Sequence, residues 1–359
     1  MEKTLHPGTQ PFSPLVFRSL GERFCRVRGH ALAFGVLAAS LLSACQTPPT
    51  APTPALSTAQ APAIAARQSF VIYLAALDIP KGKADAPRNI TQRNGYDNQP
   101  AFLPDSTALL FASDRSGPPN DIFRFDLATG RTSQVTATAS SEFSPTPTPD
   151  GKGFSVIRVV SPNAQGTDGT NPPVWRYSLE GQPLAPVVDV LSVGYHAWLN
   201  AQQIALFVVG DSAQGRPHEL VLVNLQTGQR KLLTQAPGRQ LGRTLDGQRI
   251  SFVDKSDTKR WVLRAMGSAD LQAVDIVALP APPDGGLAGP ADSQRSEDYC
   301  WLPDGSLVIA QGTQLLRFRP GQDTQWQPWL HLGPLTGTVR RLAVSPDGRQ
   351  LAFVLQRSN

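Results

Sequence analysis

The sequence predicts an all-β fold: a six-bladed β-propeller of four-stranded antiparallel blades, closed by N- and C-terminal strands that share one blade. Three observations predict it. A Pro-Asp-Gly turn recurs along the chain, the apolar segments between turns alternate over five or six residues, and each end of the repeat region carries only half a unit. Amphipathic helical repeats of similar period would need longer uninterrupted segments, and here Pro or Gly breaks each one.

The chain begins with a leader. A basic stretch with Arg23, Arg26 and Arg28 precedes the uncharged apolar run Ala31 to Ala44, which ends in Leu41-Leu42-Ser43-Ala44-Cys45. Positive flank, short apolar segment and small residues before a cleavage point are the parts of an export signal. The run has 14 residues, short of the roughly 20 that span a bilayer, so a transmembrane helix is the weaker reading. The ending Leu-Ser-Ala-Cys resembles the lipobox of bacterial lipoproteins. That resemblance implies cleavage after residue 44, acylation of Cys45 and a lipid bilayer as its partner. Gln46 after the Cys, rather than Asp, resembles outer-membrane sorting, so the expected location is the bacterial cell envelope, facing the periplasm. Residues 45–68, rich in Pro, Ala and Thr, read as an extended tether. The expected domains are therefore signal 1–44, tether 45–68 and propeller 69–359.

The clearest repeat unit is Gln99 to Thr136. Pro-Ala-Phe-Leu runs into Pro104-Asp105-Ser106, followed by Ala-Leu-Leu-Phe-Ala-Ser and a break at Asp114 to Asn120. Ile-Phe-Arg-Phe-Asp-Leu then turns at Ala128-Thr129-Gly130-Arg131 into Thr-Ser-Gln-Val-Thr. These read as strands a, b, c and d of a meander. Pro presets φ at the second position of a type I turn and Gly suits the fourth, so Ser345-Pro346-Asp347-Gly348 is a well-formed a–b turn. Thr148-Pro149-Asp150-Gly151 and Leu302-Pro303-Asp304-Gly305 repeat it, with weaker copies at Thr244 to Gly247 and Trp198 to Ala201. The Asp positions or their equivalents step by 45, 51, 45, 58 and 43 residues, which suits four-stranded blades. The last unit, Arg340 to Leu355, supplies strands a and b and stops. Phe70 to Leu77 reads as a strand c with nothing before it, and residues 87–91 match the end of a strand d. Two halves make a whole blade and close the ring, which removes open sheet edges.

Units of the form Gln-Pro-Ala-Phe-x-Pro-Asp, then Leu-Leu-Phe-Ala-Ser-Asp-Arg, then Asp-Ile-Phe-Arg-Phe-Asp-Leu-x-Thr-Gly resemble the TolB-type propeller family, relatives of the WD-repeat proteins. The match covers roughly residues 69–359 and departs from the family in two ways. The α/β domain that precedes the propeller in TolB is replaced by the Pro-rich tether, and this chain carries a lipidation signal where TolB is soluble. TolB's own lipoprotein partner is therefore not carried over.

Composition narrows the function. The net charge of +5 falls to 28 basic against 26 acidic groups once residues 1–44 are removed, and no Lys/Arg cluster tracks a phosphate backbone. Nucleic acid is not an expected partner. Cys25 leaves with the leader and Cys45 is the lipid site, so Cys300 has no partner for an internal disulfide; between Tyr299 and Trp301 it reads as a small buried hydrophobe.

No nucleophile elbow, Walker loop, dinucleotide fingerprint or zincin helix occurs. Related propellers of pectic-oligosaccharide lyases place His residues around a metal in the channel. Here His196 falls on a strand a, whereas His218 and His331 fall on or near outer strands, so neither a metal nor another cofactor is expected. Asp114, Asp211 and Asp254 each open a b–c loop, where Asp commonly accepts from the backbone two residues on.

In a four-stranded meander the b–c and d–a connections share one face, here the loop face, and the a–b and c–d turns share the other, the turn face. The long connections 114–120, 161–173, 210–217 and 280–296 all fall on the loop face. Asp114, Arg115, Asn163, Asp168, Asn171, Asp211, Asp284 and Asp292 are its candidate binding residues, since binding groups concentrate on loops held by a rigid scaffold. The expected function is a non-enzymatic scaffold that binds an envelope protein or glycan. The alternative is a carbohydrate-active enzyme, lyase- or hydrolase-like, using the channel.

Overall fold

The computed structural model describes residues 68–159, 173–267, 272–281 and 296–357. Cys45, the leader and most of the tether lie outside the described residues, as do Asn163, Asp168, Asn171, Asp284 and Asp292.

The chain enters the ring in β1 (Ser69–Asp78), followed by the short β2 (Lys83–Ala84) and β3 (Arg88–Asn89). Blade 1 is β4 (Asp97–Phe102), β5 (Ala108–Ser113), β6 (Asp121–Asp126) and β7 (Thr132–Gln134); blade 2 is β8 (Ser141–Pro147), β9 (Gly153–Val159), β10 (Val174–Ser178) and β11 (Pro183–Pro186). Blade 3 comprises β12 (Val193–Asn200), β13 (Gln203–Val208), β14 (Glu219–Asn224) and β15 (Arg230–Thr234). Blade 4 comprises β16 (Pro237–Arg243), β17 (Arg249–Asp254), β18 (Val262–Gly267) and β19 (Val274–Ala278). Blade 5 is β20 (Tyr299–Trp301), β21 (Leu307–Gln311), β22 (Gln314–Phe318) and β23 (Gln327–His331), and the chain ends in β24 (Thr338–Val344) and β25 (Gln350–Arg357).

Every blade is an antiparallel meander, and the innermost strands β4, β8, β12, β16, β20 and β24 follow one another around a ring. The closing blade, blade 6, is built as the half-units predicted: β25 pairs with β1 from Ser69↔Arg357 to Ala76↔Gln350, and β3 pairs with Tyr73 and Leu74 on the outside. The short β2, which also pairs with β1, was not expected.

Alternation explains the packing. Successive residues of a strand face opposite sides of a blade, so each blade presents apolar side chains to both neighbours. Six apolar clusters result, one in each gap between adjacent blades. Phe111, Phe154, Phe252 and Phe353 are among the largest fully buried side chains, and burying each is worth roughly 1.5–3 kcal/mol.

The turns form as their chemistry requires. Gly348 N donates to Ser345 O at 2.8 Å, Gly151 N to Thr148 O at 2.9 Å and Gly305 N to Leu302 O at 3.0 Å. Gly348 sits at φ 73°, in the left-handed region that glycine enters at no steric cost. The turn aspartate adds a second lock: Asp150 Oδ1 accepts from Lys152 N at 3.1 Å and from the Thr148 hydroxyl at 2.6 Å. Blade 3 departs from the expectation. Asn200 pairs with Gln203, so its a–b turn is a tight hairpin two residues after the Trp198 to Ala201 position read from the sequence. Without Pro to end β12, the strand runs on through Leu199 and Asn200.

Candidate functional site

The innermost strands are not regular. In blades 1, 2, 3, 4 and 6 the a–b pairing slips, between Asn98 and Ala101, Phe143 and Thr146, Val193 and Tyr195, Pro237 and Leu241, and Arg340 and Ala343. A bulge bends its strand and re-aims side chains. Three of these bulges hold a non-glycine residue at positive φ: Gln99 at 57°, Ser144 at 53° and Arg341 at 51°. Such a conformation costs about 1 kcal/mol or more and clusters at functional sites. The bulges are coupled, since Gln99 Oε1 accepts from Ser144 N at 2.8 Å.

The bulges divide the central channel. Tyr195 of blade 3 and Arg341 of blade 6 reach across it, with Arg341 Nη2 donating to Tyr195 Oη at 3.1 Å and its guanidinium carbon 4.9 Å from the ring centroid. Gln99, Tyr195, Arg239 and Arg341 line both halves and form the waist. Below it, towards the turn face, lies a chamber of about 440 Å³ walled by Pro104, Ser144 to Pro149 and His196 to Trp198. Above it, on the loop face, lies a chamber of about 590 Å³.

The upper chamber is rich in charge. Arg239, Arg340, Arg341 and Asp298 line it, beside Tyr96, Asn98 and Gln356. Asp298 is 1% exposed, neither of its carboxylate oxygens has a hydrogen-bond partner, and Arg341 Nη1 lies 3.5 Å from Oδ1. Burial disfavours the charged form of Arg341, yet Asp298 and Tyr195 outweigh it and hold the guanidinium above its ordinary value. Arg340 goes the other way, lowered chiefly by burial. Behind the wall, Glu297 pairs with Arg239 Nε and Lys255 Nζ, each at 2.9 Å. A Cβ at Gly238 would collide with Glu297 Oε2 and lie 2.9 Å from Val253 Cβ, so a larger residue there would disturb the Glu297 ion pairs. Burial pushes the Tyr96 phenol up to about 12.

His196 lies on β12 as expected, but its ring is engaged. Ser155 Oγ lies 2.6 Å from His196 Nε2 and accepts from Trp198 Nε1 at 2.9 Å. Burial lowers the imidazole to about 4, so it is neutral at physiological pH. This Ser–His pair lacks the marks of a nucleophile and base: Ser155 is fully buried and His196 Nδ1 has no partner to orient it. A parallel arrangement joins blades 4 and 5, where Ser251 Oγ meets Tyr299 Oη at 2.8 Å and accepts from Trp301 Nε1 at 2.9 Å. Both are clasps between neighbouring blades. His218, in the connection just before β14, accepts from Gly210 N at 2.9 Å, and His331 lies exposed at the end of the outer strand β23, so neither lies on an innermost strand. Among the described residues no group of three His, Cys, Asp or Glu side chains could hold a metal ion. Cys300 is half-buried rather than enclosed, packs against the core of blades 5 and 6, and has its thiol pushed up to about 12 by burial.

The described loop candidates bond to the propeller itself. Asp211 accepts from Ala213 N at 3.1 Å and caps the turn Ser212–Gln214, and Asp254 accepts from Ser256 N at 2.8 Å, both as the turn chemistry predicts. Asp114 differs: it accepts from Tyr96 N at 3.1 Å and pairs with Arg93 at 2.6 Å, because the neighbouring d–a connection packs against it. Arg115 folds back to Asp97 at 3.1 Å and lies over Phe111 and Phe123. The chamber walls were missed by a reading that looked for polar loops. The available signal was the Arg340-Arg341 pair inside a strand a, where charge is out of place unless the strand faces water.

No protein-family model matches the chain, and no curated protein matches its sequence. Solved structures do match. One assigned as TolB from Agrobacterium tumefaciens is 14% identical with a TM-score of 0.57, covering 81% of this chain and 99% of that one. A gluconolactonase from Xanthomonas campestris is 11% identical with a TM-score of 0.52, covering 79% and 95%. An oligogalacturonate lyase from Vibrio parahaemolyticus is 12% identical with a TM-score of 0.50, covering 75% and 80%. The likeness is one of fold. It supports the TolB-like propeller architecture read from the repeat units, and it spans proteins with and without enzyme names.

Proposed function

We propose that this chain is a non-enzymatic binding propeller, held at the bacterial cell envelope by acylated Cys45, whose loop face captures an envelope protein or glycan through an anionic group drawn into the upper chamber. The charge of that chamber carries the reading. Arg239, Arg340 and Arg341 line the chamber together with Asp298, the one carboxylate among its described lining residues. A cleft in which one sign of charge predominates, with low-dielectric walls, concentrates counter-charged ligands and speeds their arrival. Catalytic use of the channel would call for an acid–base pair at the wall, and the channel histidine is instead buried against Ser155 with no partner on Nδ1.

A photo-crosslinking residue in place of Thr338, an exposed lining residue of the upper chamber, is compared in cells with one in place of Gln248 on the turn face. Crosslinks are expected from position 338 alone and are lost when Arg340→Gln is added. Equal crosslinking from both faces refutes the reading.

A further inference from the structure

We propose that the upper chamber receives the acidic sugar unit at the end of a chain, a polyhydroxylated carboxylate presented end-on. The inference rests on the reading of that chamber as an anion-capturing site and narrows its ligand.

The first argument is the floor. Tyr195 and Arg341 come from opposite blades and bond to each other across the channel, so a ligand entering from the loop face stops at the guanidinium of Arg341. A chain cannot thread through; only its end fits. The space of about 590 Å³ falls in the range of small-molecule pockets.

The second argument is the wall. Its aromatic surface comes from Phe70, Tyr96 and Tyr195, and its amides from Gln68, Asn98, Gln99 and Gln356; no aliphatic side chain is among the described lining residues. A peptide anchor gains most of its affinity by filling an apolar pocket, which is missing here. Ring hydroxyls suit the amides, and the C–H face of a sugar suits the Phe70–Tyr96 corner, an edge-to-face pair with centroids 5.5 Å apart. The amides are organised: Arg340 Nε donates to Gln356 Oε1 at 3.3 Å, and Gln356 Nε2 donates to Gln68 Oε1 at 3.0 Å.

The third argument is charge. Three guanidinium groups against the one carboxylate of Asp298 favour a carboxylate with neutral hydroxyls over an amino-acid-like ligand, whose ammonium they would repel.

The test is calorimetric titration of the full-length protein with D-glucuronate, D-glucose, acetate, tetraglutamate and a uronate oligomer. D-Glucuronate is expected to bind, and glucose and acetate to bind more weakly, because each supplies only half of the recognised chemistry. Arg340→Gln should weaken glucuronate about tenfold or more, as loss of a charge-assisted hydrogen bond does, without moving the melting temperature. Gln356→Ala, which keeps the charge, should weaken glucuronate and leave acetate unchanged. The oligomer should bind one per protein with no gain over the monomer. Glucose binding as tightly as glucuronate overturns the acidic sugar, and affinity that grows with chain length overturns end-on binding. An oligomer that fails where the monomer binds makes this a site for free sugar acids and overturns the chain end. If tetraglutamate binds in an Arg340-dependent way and glucuronate does not, the anion-capturing chamber stands and the sugar assignment falls. If neither binds, both fall.

Discussion

Arg341 and Tyr195, which are 146 residues apart, are joined by a 3.1 Å hydrogen bond across the centre of the propeller, and the same guanidinium lies 3.5 Å from the buried carboxylate of Asp298. One side chain thus closes the channel and pairs with a buried carboxylate.

That double role predicts unequal effects. Tyr195→Phe should cost about 1 kcal/mol, the net worth of one hydrogen bond. Arg341→Leu should cost about 3 kcal/mol or more, because it strands Asp298 in the wall. Adding Asp298→Leu to Arg341→Leu should recover part of the loss. Urea unfolding of wild type, Arg341→Leu, Asp298→Leu and the double variant checks the cycle, and additive losses would show that Arg341 and Asp298 are not coupled.

The clasp at Ser155 should resist change more than its size implies. Ser155→Ala leaves the Trp198 indole N–H and the His196 ring without their shared partner in a dry interface. The expected cost is about 2 kcal/mol or more, read by thermal unfolding, with a shift in tryptophan emission as the indole loses its hydrogen bond. Ser251→Ala should behave alike at Trp301 and Tyr299.

His196 makes stability depend on pH. Its folded value is near 4 and its unfolded value 6.5, so between the two the unfolded chain takes up a proton that the folded protein refuses. Stability attributable to His196 is complete above pH 6.5 and falls as pH drops towards 4, by a total on the order of 3 kcal/mol. Buried Glu142, raised chiefly by burial, acts in the opposite sense above its ordinary value. The difference between wild type and His196→Gln isolates the imidazole: it should shrink steadily from pH 7 to pH 4, and a flat difference rules the assignment out.

Lipidation is checked by fractionation. Cys45→Ala should move the protein from the membrane to the soluble fraction, and retention of the variant after a carbonate wash would exclude an anchor at this residue.

What could be read in advance followed from chemistry confined to a few residues. Pro346, Asp347 and Gly348 each set part of a turn through their own backbone or side chain, so the blade count and the shared closing blade were legible. Blade 3 lacked that Pro, and there the turn was misplaced. The waist was not legible, because Tyr195 and Arg341 meet only after the ring has formed, and no local pattern marks the bulge that turns Arg341 inward. Asp114 and Arg115 were recognised as loop residues, but their partners are Arg93 of the preceding connection and Asp97 at the start of β4. Polarity on a loop marks exposure; it does not distinguish a ligand contact from a brace.

The register of β1 with β25 couples the fold to the order in which the chain is made. Ser69 and Arg357 pair although they lie 288 positions apart in the sequence, so the ring cannot close until Arg357 is available. Contacts of such long range form late and slowly. A chain delivered across a membrane from its N-terminus would therefore stay threadable until Arg357 joined it, and the ring would lock only after that residue had passed.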